Sequence, residues 1–240
     1  MTMDAPKGAV ARWADVHRWS PAPRHRRRLI LKWIAGLQFD NVLDAGCAQA
    51  YLLEEISRRY GVPMYGLDSC EQVIEENRLR FPEAEFEVVD LSVSGWPGGR
   101  QFDLVVCSEV IEHIEQWTTA LCNVASMARR WLLVTAPSGT VYPIDHHVGH
   151  FRHFDGQELD SQIEQLGFRI LRSRHWGVPM HALYKSAVNS INPQAVYEAF
   201  GEAEYGLGKR AVANLLYALF FVNDLFDAGG QYVVLAEHVR

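Results

Sequence analysis

Short apolar runs alternate along the chain with segments in which apolar residues recur every three or four positions. Seven of these runs have the length and composition of β-strands, and they lie at residues 42–43, 63–67, 86–89, 102–107, 131–137, 168–176 and 231–239. The periodic segments predict amphipathic helices, for example at residues 23–37, 70–80 and 155–166. This alternation predicts an α/β fold with a mostly parallel sheet between layers of helices.

Two segments lie outside this alternation. Residues 1–37 form an N-terminal helical extension, and residues 178–228 form a helical cap insertion between the last two strands. We expect helices at 181–200 and 208–226, all within a single domain spanning residues 1–240. The second insertion helix is very apolar and has no basic polar face, which favours a buried cap or a homodimer surface over a membrane-surface contact.

The overall composition is that of an ordinary globular protein. Of 240 residues, 48% are hydrophobic, and the formal net charge of −6 argues against broad nucleic-acid binding, which relies on positive surface. No run reaches the roughly 18 apolar residues of a membrane-spanning helix, and the first 20 residues contain no apolar signal-peptide core. The four cysteines form no CxxC pair, so we expect reduced thiols in a cytoplasmic protein.

A basic cluster stands at the start of the first long helix, where residues 24–28 read RHRRR. Such a cluster could receive an anionic ligand, but it more often forms a solvated helix face, which is the role we expect here.

The stretch at residues 42–56 has the pattern of a strand, a tight turn and the start of a helix. The strand ends in Asp44, and the turn contains Gly46, Cys47, Ala48 and Ala50. Small residues let the backbone approach a ligand, and a helix N-terminus offers free N–H groups to an anion. Only the first of the three glycines usual in a nucleotide-binding turn is present, so the turn by itself also fits a purely structural role.

Two further acidic residues follow predicted strands. Asp68 ends the second strand and lies 22 residues after Gly46, close to the spacing at which an acid meets the ribose hydroxyls of a bound nucleotide. Asp90 follows the third strand. Because the carboxyl ends of parallel strands share one edge of the sheet, these acids and Asp44 are predicted to face one ligand crevice.

Together these features resemble the class I S-adenosylmethionine-dependent methyltransferases. The resemblance covers about residues 29–176 and the final strand, and it rests on VLDAGCAQA, Asp68, VVDL, FDLVVCSEVIEHI and GHFRHF. It implies a Rossmann-like seven-stranded, mostly parallel sheet whose last strand is antiparallel. It also implies that S-adenosylmethionine is the cofactor, held by Asp44, Gly46, Cys47, Asp68, Ser69, Asp90, Leu91, Cys107 and Ser108. Alanine at positions 48 and 50 departs from the usual glycine, which the turn should tolerate if neither position needs a positive φ.

A second group of residues could bind a divalent cation. Glu109, Glu112 and His113 have the i, i+3, i+4 spacing of one helix face, and His150 would come from the loop after the fifth strand. Two carboxylates and two imidazoles are suitable ligands. The pattern resembles the ubiquinone-biosynthesis O-methyltransferases and the small-RNA 3′-terminal ribose 2′-O-methyltransferases, which implies a Mg²⁺ ion that holds the acceptor oxygens.

A metal-free site is the alternative. The carboxylates would then only order the loop, and His150, His113 or His146 would be the catalytic residue as a general base toward the acceptor hydroxyl.

Three functions follow from this reading. The first is methyl transfer to a hydroxyl of a small-molecule acceptor, with the insertion closing over the acceptor to exclude water. The second is methyl transfer to an RNA 3′ end, which the negative net charge opposes. The third is a non-catalytic subunit that binds S-adenosylmethionine, for which the two turn alanines are the only support.

Overall fold

In the computed structural model, which describes residues 9–190 and 204–239, seven strands form one sheet. The strands are β1 (Val42–Ala45), β2 (Met64–Asp68), β3 (Glu85–Val88), β4 (Phe102–Ser108), β5 (Ala128–Pro137), β6 (Phe168–Trp176) and β7 (Gln231–His238). Their order is β3-β2-β1-β4-β5-β7-β6, and β7 runs antiparallel to both of its neighbours. The predicted fold class, including the antiparallel last strand, is confirmed.

Helices cover both faces of the sheet. They are α1 (Ala9–Trp19), α2 (Pro21–Ile34), α3 (Tyr51–Tyr60), α4 (Glu71–Arg80), α5 (Trp117–Ser126), α6 (Pro143–His147), α7 (Gly156–Gln165), α8 (Met180–Asn189) and α9 (Leu207–Phe220). The predicted helix at 208–226 corresponds to α9 and a following 3₁₀ turn, Phe221–Leu225. The predicted helix at 181–200 corresponds to α8, and its remainder from residue 191 lies outside the described residues.

Strand β4 shows how the sheet divides the core into two layers. Val105 and Cys107 pack on one face with residues of α5 and α7, whereas Leu104 and Val106 pack on the other face with residues of α2, α3 and α4. Successive side chains of a strand point to opposite faces, so a continuous apolar run such as β4 requires cover on both sides. This double cover fixes the carboxyl ends of the strands, where the candidate site lies.

The basic cluster of α2 is only in part the solvated face that we expected. His25 is fully buried, with its ring centroid 4.8 Å from that of Trp176. Arg28 forms two hydrogen bonds of 2.8 and 2.7 Å to Asp224 of the insertion. The N-terminal helices and the insertion pack together here. This contact between segments distant in sequence buries His25 and pairs Arg28, although the local pattern predicted that both would be solvated.

The apolar helix α9 is only partly buried. Ala213 and Phe220 face the protein, but Val212, Leu215 and Leu219 are exposed. None of the described helices has both the length and the apolarity that crossing a membrane requires.

Candidate functional site

The turn after β1 is tied directly to the neighbouring strand. The backbone N–H groups of Gly46 and Cys47 both donate to the carbonyl oxygen of Leu67, over 2.8 and 2.9 Å. Gly46 has φ +89°, and a Cβ atom there would lie 2.3 Å from Cγ2 of Val110. Only glycine meets both conditions, so this turn position is required by the backbone and by the packing of Val110.

The two alanines of the turn also have positive φ, 41° for Ala48 and 55° for Ala50. We expected the turn to tolerate alanine only if neither position needed a positive φ, and this condition is not met. A left-handed conformation costs an L-residue roughly 1–2 kcal/mol. The two alanines adopt the left-handed backbone conformation that glycine adopts without strain, so contacts with the surrounding residues must stabilise it.

Asp68 provides one of those contacts. Its carboxylate accepts hydrogen bonds from the backbone N–H groups of Ala48 (3.0 Å) and Cys70 (2.9 Å), so it bridges the turns after β1 and β2. Burial raises its pKa, and the amide donors oppose that shift. Ser69, which follows it, is exposed.

Four of the predicted cofactor residues, Asp44, Gly46, Cys47 and Ser108, line a single cavity of about 150 Å³. Asp44 is 3% exposed, and its pKa is raised to about 7, first by burial and second by the charge of Asp68. Strongly shifted pKa values cluster at functional sites, so the shifted pKa of Asp44 favours this cavity as a binding site.

The other predicted cofactor residues do not line that cavity. Asp90 is exposed, and its Oδ1 accepts hydrogen bonds from the N–H (2.8 Å) and the hydroxyl (2.7 Å) of Ser92, so it organises a turn. Leu91 and Cys107 belong to the hydrophobic core, where burial raises the pKa of the Cys107 thiol well above its usual value.

Arg26 enters the cavity from α2. It belongs to the basic cluster that could receive an anionic ligand, but its sequence position gave no sign that it would lie beside the turn after β1. Its guanidinium lies 3.0 Å from Oε2 of Glu109, and both residues line the cavity. Oε1 of Glu109 accepts a hydrogen bond of 3.0 Å from the hydroxyl of Thr135. His17 of α1 also lines the cavity and lies 2.7 Å from Gln49 of the turn. The N-terminal helices therefore form one wall of this cavity.

The predicted helix that would place Glu109, Glu112 and His113 on one face does not form. Glu109 has φ +58°, and residues Ile111–His113 make a single 3₁₀ turn before α5 begins at Trp117. Consequently Glu109 points to Arg26 and Thr135, away from the group that could hold a metal.

Glu112, His113 and His150 do come together, with ligand atoms within 4.8 Å of one another. Glu112 is fully buried, and neither of its carboxylate oxygens has a hydrogen-bond partner. Burial, followed by the charge of Glu109, raises its pKa well above the usual value. The backbone holds the group together, since the N–H of Phe151 donates to the carbonyl of Glu112 over 2.9 Å.

A second group of possible ligand atoms shares His150 and was not predicted. His150 Nδ1 lies 3.3 Å from His153 Nε2, which lies 3.3 Å from Asp145 Oδ2. Lys185 of α8 pairs with that same Asp145 oxygen at 3.0 Å. Burial lowers the pKa of His150 to about 3, so this imidazole is neutral at pH 7.

His146, a predicted candidate base, is exposed on α6 and belongs to neither group. The GHFRHF motif favoured His150 over His146, but the sequence did not single out His153, which stands in the same histidine-rich loop.

Comparison with known proteins places this arrangement in a family. Residues 16–173 match the model of a methyltransferase domain. The ubiquinone biosynthesis O-methyltransferase of Azoarcus sp. (strain BH72) is 30% identical over 156 residues, which is 59% of this chain and 64% of the relative. The enzyme of that name from Acinetobacter baumannii (strain AYE) is 27% identical over 142 residues, 55% of this chain and 56% of the relative.

The chain thus matches between about half and two thirds of the length of these curated relatives. Among solved structures, the magnesium protoporphyrin IX methyltransferase of Synechocystis PCC 6803 aligns with a TM-score of 0.57 at 16% identity, over 89% of this chain and 82% of that one. Such a likeness shows the fold. With the family match over residues 16–173, it establishes that the chain belongs to the methyltransferase domain family, among the class I S-adenosylmethionine-dependent methyltransferases that its sequence resembles.

Proposed function

We propose that the protein transfers the methyl group of S-adenosylmethionine to a hydroxyl group of a small-molecule acceptor, with the help of a divalent cation. The observation that carries the proposal is the buried, unpartnered carboxylate of Glu112 beside His113 and His150. Glu112 and His113 lie in the segment after β4, and Ser108 at the end of β4 lines the cofactor cavity.

The charges of the cavity suit the amino-acid end of the cofactor. Arg26 offers a guanidinium to its carboxylate, and Asp44 offers a carboxylate to its ammonium group. Binding would exchange the Arg26–Glu109 pair for a pair with the ligand. The bridging carboxylate of Asp68 lies beside the same turn and is our proposed partner for the ribose hydroxyls.

The donor set at Glu112 fits a metal, because an isolated buried carboxylate is costly unless a cation or a proton balances it. Two imidazoles and one carboxylate favour Zn²⁺, Fe²⁺ or Mn²⁺ over Mg²⁺, which prefers oxygen ligands and water. The second predicted carboxylate, Glu109, is engaged by Arg26. We therefore propose a transition metal in place of the Mg²⁺ ion that the family resemblance implies.

The chemistry needs little from the protein beyond position and charge. A bound divalent cation would lower the pKa of an acceptor hydroxyl and so favour the oxyanion at neutral pH. The hydroxyl proton passes to solvent. The electron pair of that oxygen forms the new bond to the methyl carbon as the bond to the sulfonium sulfur breaks, and S-adenosylhomocysteine leaves. Residues of the turn and of the histidine loop hold the two reactants in line.

The curated relatives support a hydroxyl acceptor, since both carry the name of an O-methyltransferase. Among the described residues, the cations that line the cofactor cavity are not free to hold the phosphates of an RNA acceptor. The arginines of α2 that could contact a phosphate backbone near the cavity are occupied, Arg26 by Glu109 and Arg27 by Glu55.

The deciding experiment measures transfer of labelled methyl from S-adenosylmethionine to a panel of catechols, before and after metal removal. We expect activity that chelation abolishes and that Zn²⁺, Mn²⁺ or Fe²⁺ restores. Glu112→Gln should lose both the activity and the metal-induced rise in melting temperature. Glu115→Gln, an exposed acid in the same segment, should keep both. Full activity in excess chelator would contradict the metal, and no transfer to any hydroxyl would contradict the proposal as a whole.

A further inference from the structure

A basic groove lies on the outer face of α2, between α3 and α9. Its volume is about 440 Å³, and its charged lining consists of Arg24, Arg27, Arg28, Lys32, Glu55 and Arg59. The four α2 residues have the i, i+3, i+4, i+8 spacing of one helix face, so the helix presents them together. We refer to this surface as the basic groove.

Two of its five cations are already neutralised. Arg27 lies 2.8 Å from Glu55, and Arg28 forms its two bonds to Asp224. These pairs hold α2 against α3 and against the end of the insertion, so the groove has rigid walls.

Among the described residues, the other three cations have weaker partners or no carboxylate partner. Arg24 donates to the neutral amide oxygen of Asn214 over 2.8 Å, and its guanidinium lies 3.9 Å from the centre of the Tyr217 ring. Lys32 is 62% exposed and only within 4.0 Å of Asp224. Within residues 9–190 and 204–239, neither Arg24 nor Arg59 has a carboxylate at ion-pair distance. The groove therefore has a local positive charge in a chain whose net charge is −6.

The ligand chemistry follows from this charge and shape. The volume lies in the range of about 300–1,000 Å³ typical of small-molecule sites. Three convergent cations suit a group with more than one negative charge, and guanidinium groups match phosphate oxygens with paired N–H donors. We propose that the basic groove binds a phosphate-bearing small molecule.

This inference is independent of the proposed function, because it uses neither the metal group nor the acceptor. The groove and the cofactor cavity share one residue, Arg27, which lines both. Variants for the test must therefore leave Arg27 intact, so that binding in the groove can be separated from binding of the cofactor.

The test is calorimetric titration of the full chain with inorganic pyrophosphate at low ionic strength. We expect saturable binding that weakens at least tenfold in the double variant Lys32→Gln/Arg59→Gln. The matched control is Arg58→Gln, which removes an exposed arginine of the same helix that pairs with Glu54 outside the groove. The control should bind within twofold of the native protein. Because all three positions are exposed, the variants should fold and should bind S-adenosylhomocysteine as the native protein does.

A second arm identifies the source of the phosphate. Co-sedimentation with vesicles of phosphatidylcholine containing phosphatidic acid tests a lipid headgroup against the free anion. Binding of pyrophosphate without binding to vesicles supports a freely diffusing ligand. Groove-dependent binding to vesicles supports the same phosphate chemistry with a lipid as its source. Absence of saturable binding in both arms, or equal weakening in Arg58→Gln, would overturn the proposal.

Discussion

At the scale of single residues, the proposed cofactor cavity contains a carboxylate whose pKa the folded protein raises well above its ordinary value. Burial and the nearby charge of Asp68 raise the pKa of Asp44 to about 7. An unfolded chain would release this proton near pH 4, whereas the folded chain keeps it until about pH 7. Folding is therefore opposed by Asp44 increasingly as pH rises through this interval, and the opposition is constant above it. A cationic ligand group would remove that penalty.

Asp44→Asn tests this account. Without cofactor, the variant should be more stable than the native protein at pH 8, by roughly 1–4 kcal/mol. The gain should shrink as pH falls and become small at about pH 4, because Asp44 is then protonated in the folded chain and about half protonated in the unfolded chain. Chemical denaturation from pH 4 to 8 measures it. Asp40→Asn, at an exposed aspartate, is the control and should show no such trend. An equal gain in stability at all pH values would show that the ionisation of Asp44 is not what destabilises the native protein.

The turn alanines give a second prediction at this scale. Replacement of Ala48 by glycine should stabilise the protein by roughly 0.5–1 kcal/mol, since the left-handed strain removed exceeds the added entropy of the unfolded chain. Ala50→Gly should stabilise it less, because this change also removes a methyl group that is buried in the core. Ala120→Gly in α5 should have the opposite sign, because a helix interior favours alanine. Urea denaturation measures all three. Destabilisation by both turn substitutions would mean that the positive φ angles carry no strain.

Several site residues were predictable from the sequence, and others were not, for a physical reason. Asp44, Gly46 and Asp68 lie at fixed positions relative to strand ends, so local pattern located them. Arg26 and His153 act through neighbours that only tertiary packing supplies. The conformation of Ala48 depends on a carboxylate 20 residues away, which no local preference encodes.

At the scale of elements, strands were easier to predict than the segments that join them. The apolar run at 102–107 lies within β4 (Phe102–Ser108), because a strand covered on both faces needs continuous apolarity. The segment 109–113 has helical spacing but forms a 3₁₀ turn, since Val110 packs against Gly46 and fixes the chain at the end of β4. Tertiary contact overrides local periodicity there, and it separates Glu109 from Glu112.

The interface between α2 and the insertion gives a prediction at this scale. Asp224→Asn should destabilise the protein by roughly 1.5–3 kcal/mol, because it removes the charge from two hydrogen bonds to the half-buried Arg28. The control is Glu85→Gln, whose pair with Arg100 is solvent-exposed and should contribute about 1 kcal/mol or less. Denaturant titration at constant pH and salt compares them. Equal losses of unfolding free energy in the two variants would mean that the partly buried Arg28–Asp224 pair stabilises the protein no more than the exposed Arg100–Glu85 pair does.

At the scale of the whole molecule, segments distant in sequence enclose the cofactor cavity. The turn after β1 forms its floor, the end of β4 forms one side, and the N-terminal helices form another through His17 and Arg26. A fold-level pattern predicts the floor, but the N-terminal wall arises from packing that the seven-stranded fold does not dictate.

Removal of α1 should therefore accelerate release of the cofactor. A chain that starts at Ser20 lacks His17 and its contact with Gln49, and we expect S-adenosylhomocysteine to dissociate about tenfold faster, a change of about 1.4 kcal/mol. A chain that starts at Ala9 keeps α1 and should release it at the native rate. Stopped-flow displacement gives both rates. Identical rates in the two chains would show that α1 does not retain the ligand.

The insertion leaves the sheet after β6 and returns before β7, and its two ends meet. The N–H of Val178 donates to the carbonyl of Ala228 over 3.0 Å, and β6 and β7 pair along their whole length beside this bond. The two chain ends at this junction are therefore placed as in a β-hairpin. Because the entropy cost of closing a loop grows only slowly with its length, a long or a short segment can connect them. Another segment could therefore replace this one in a related chain without altering the register of a single strand.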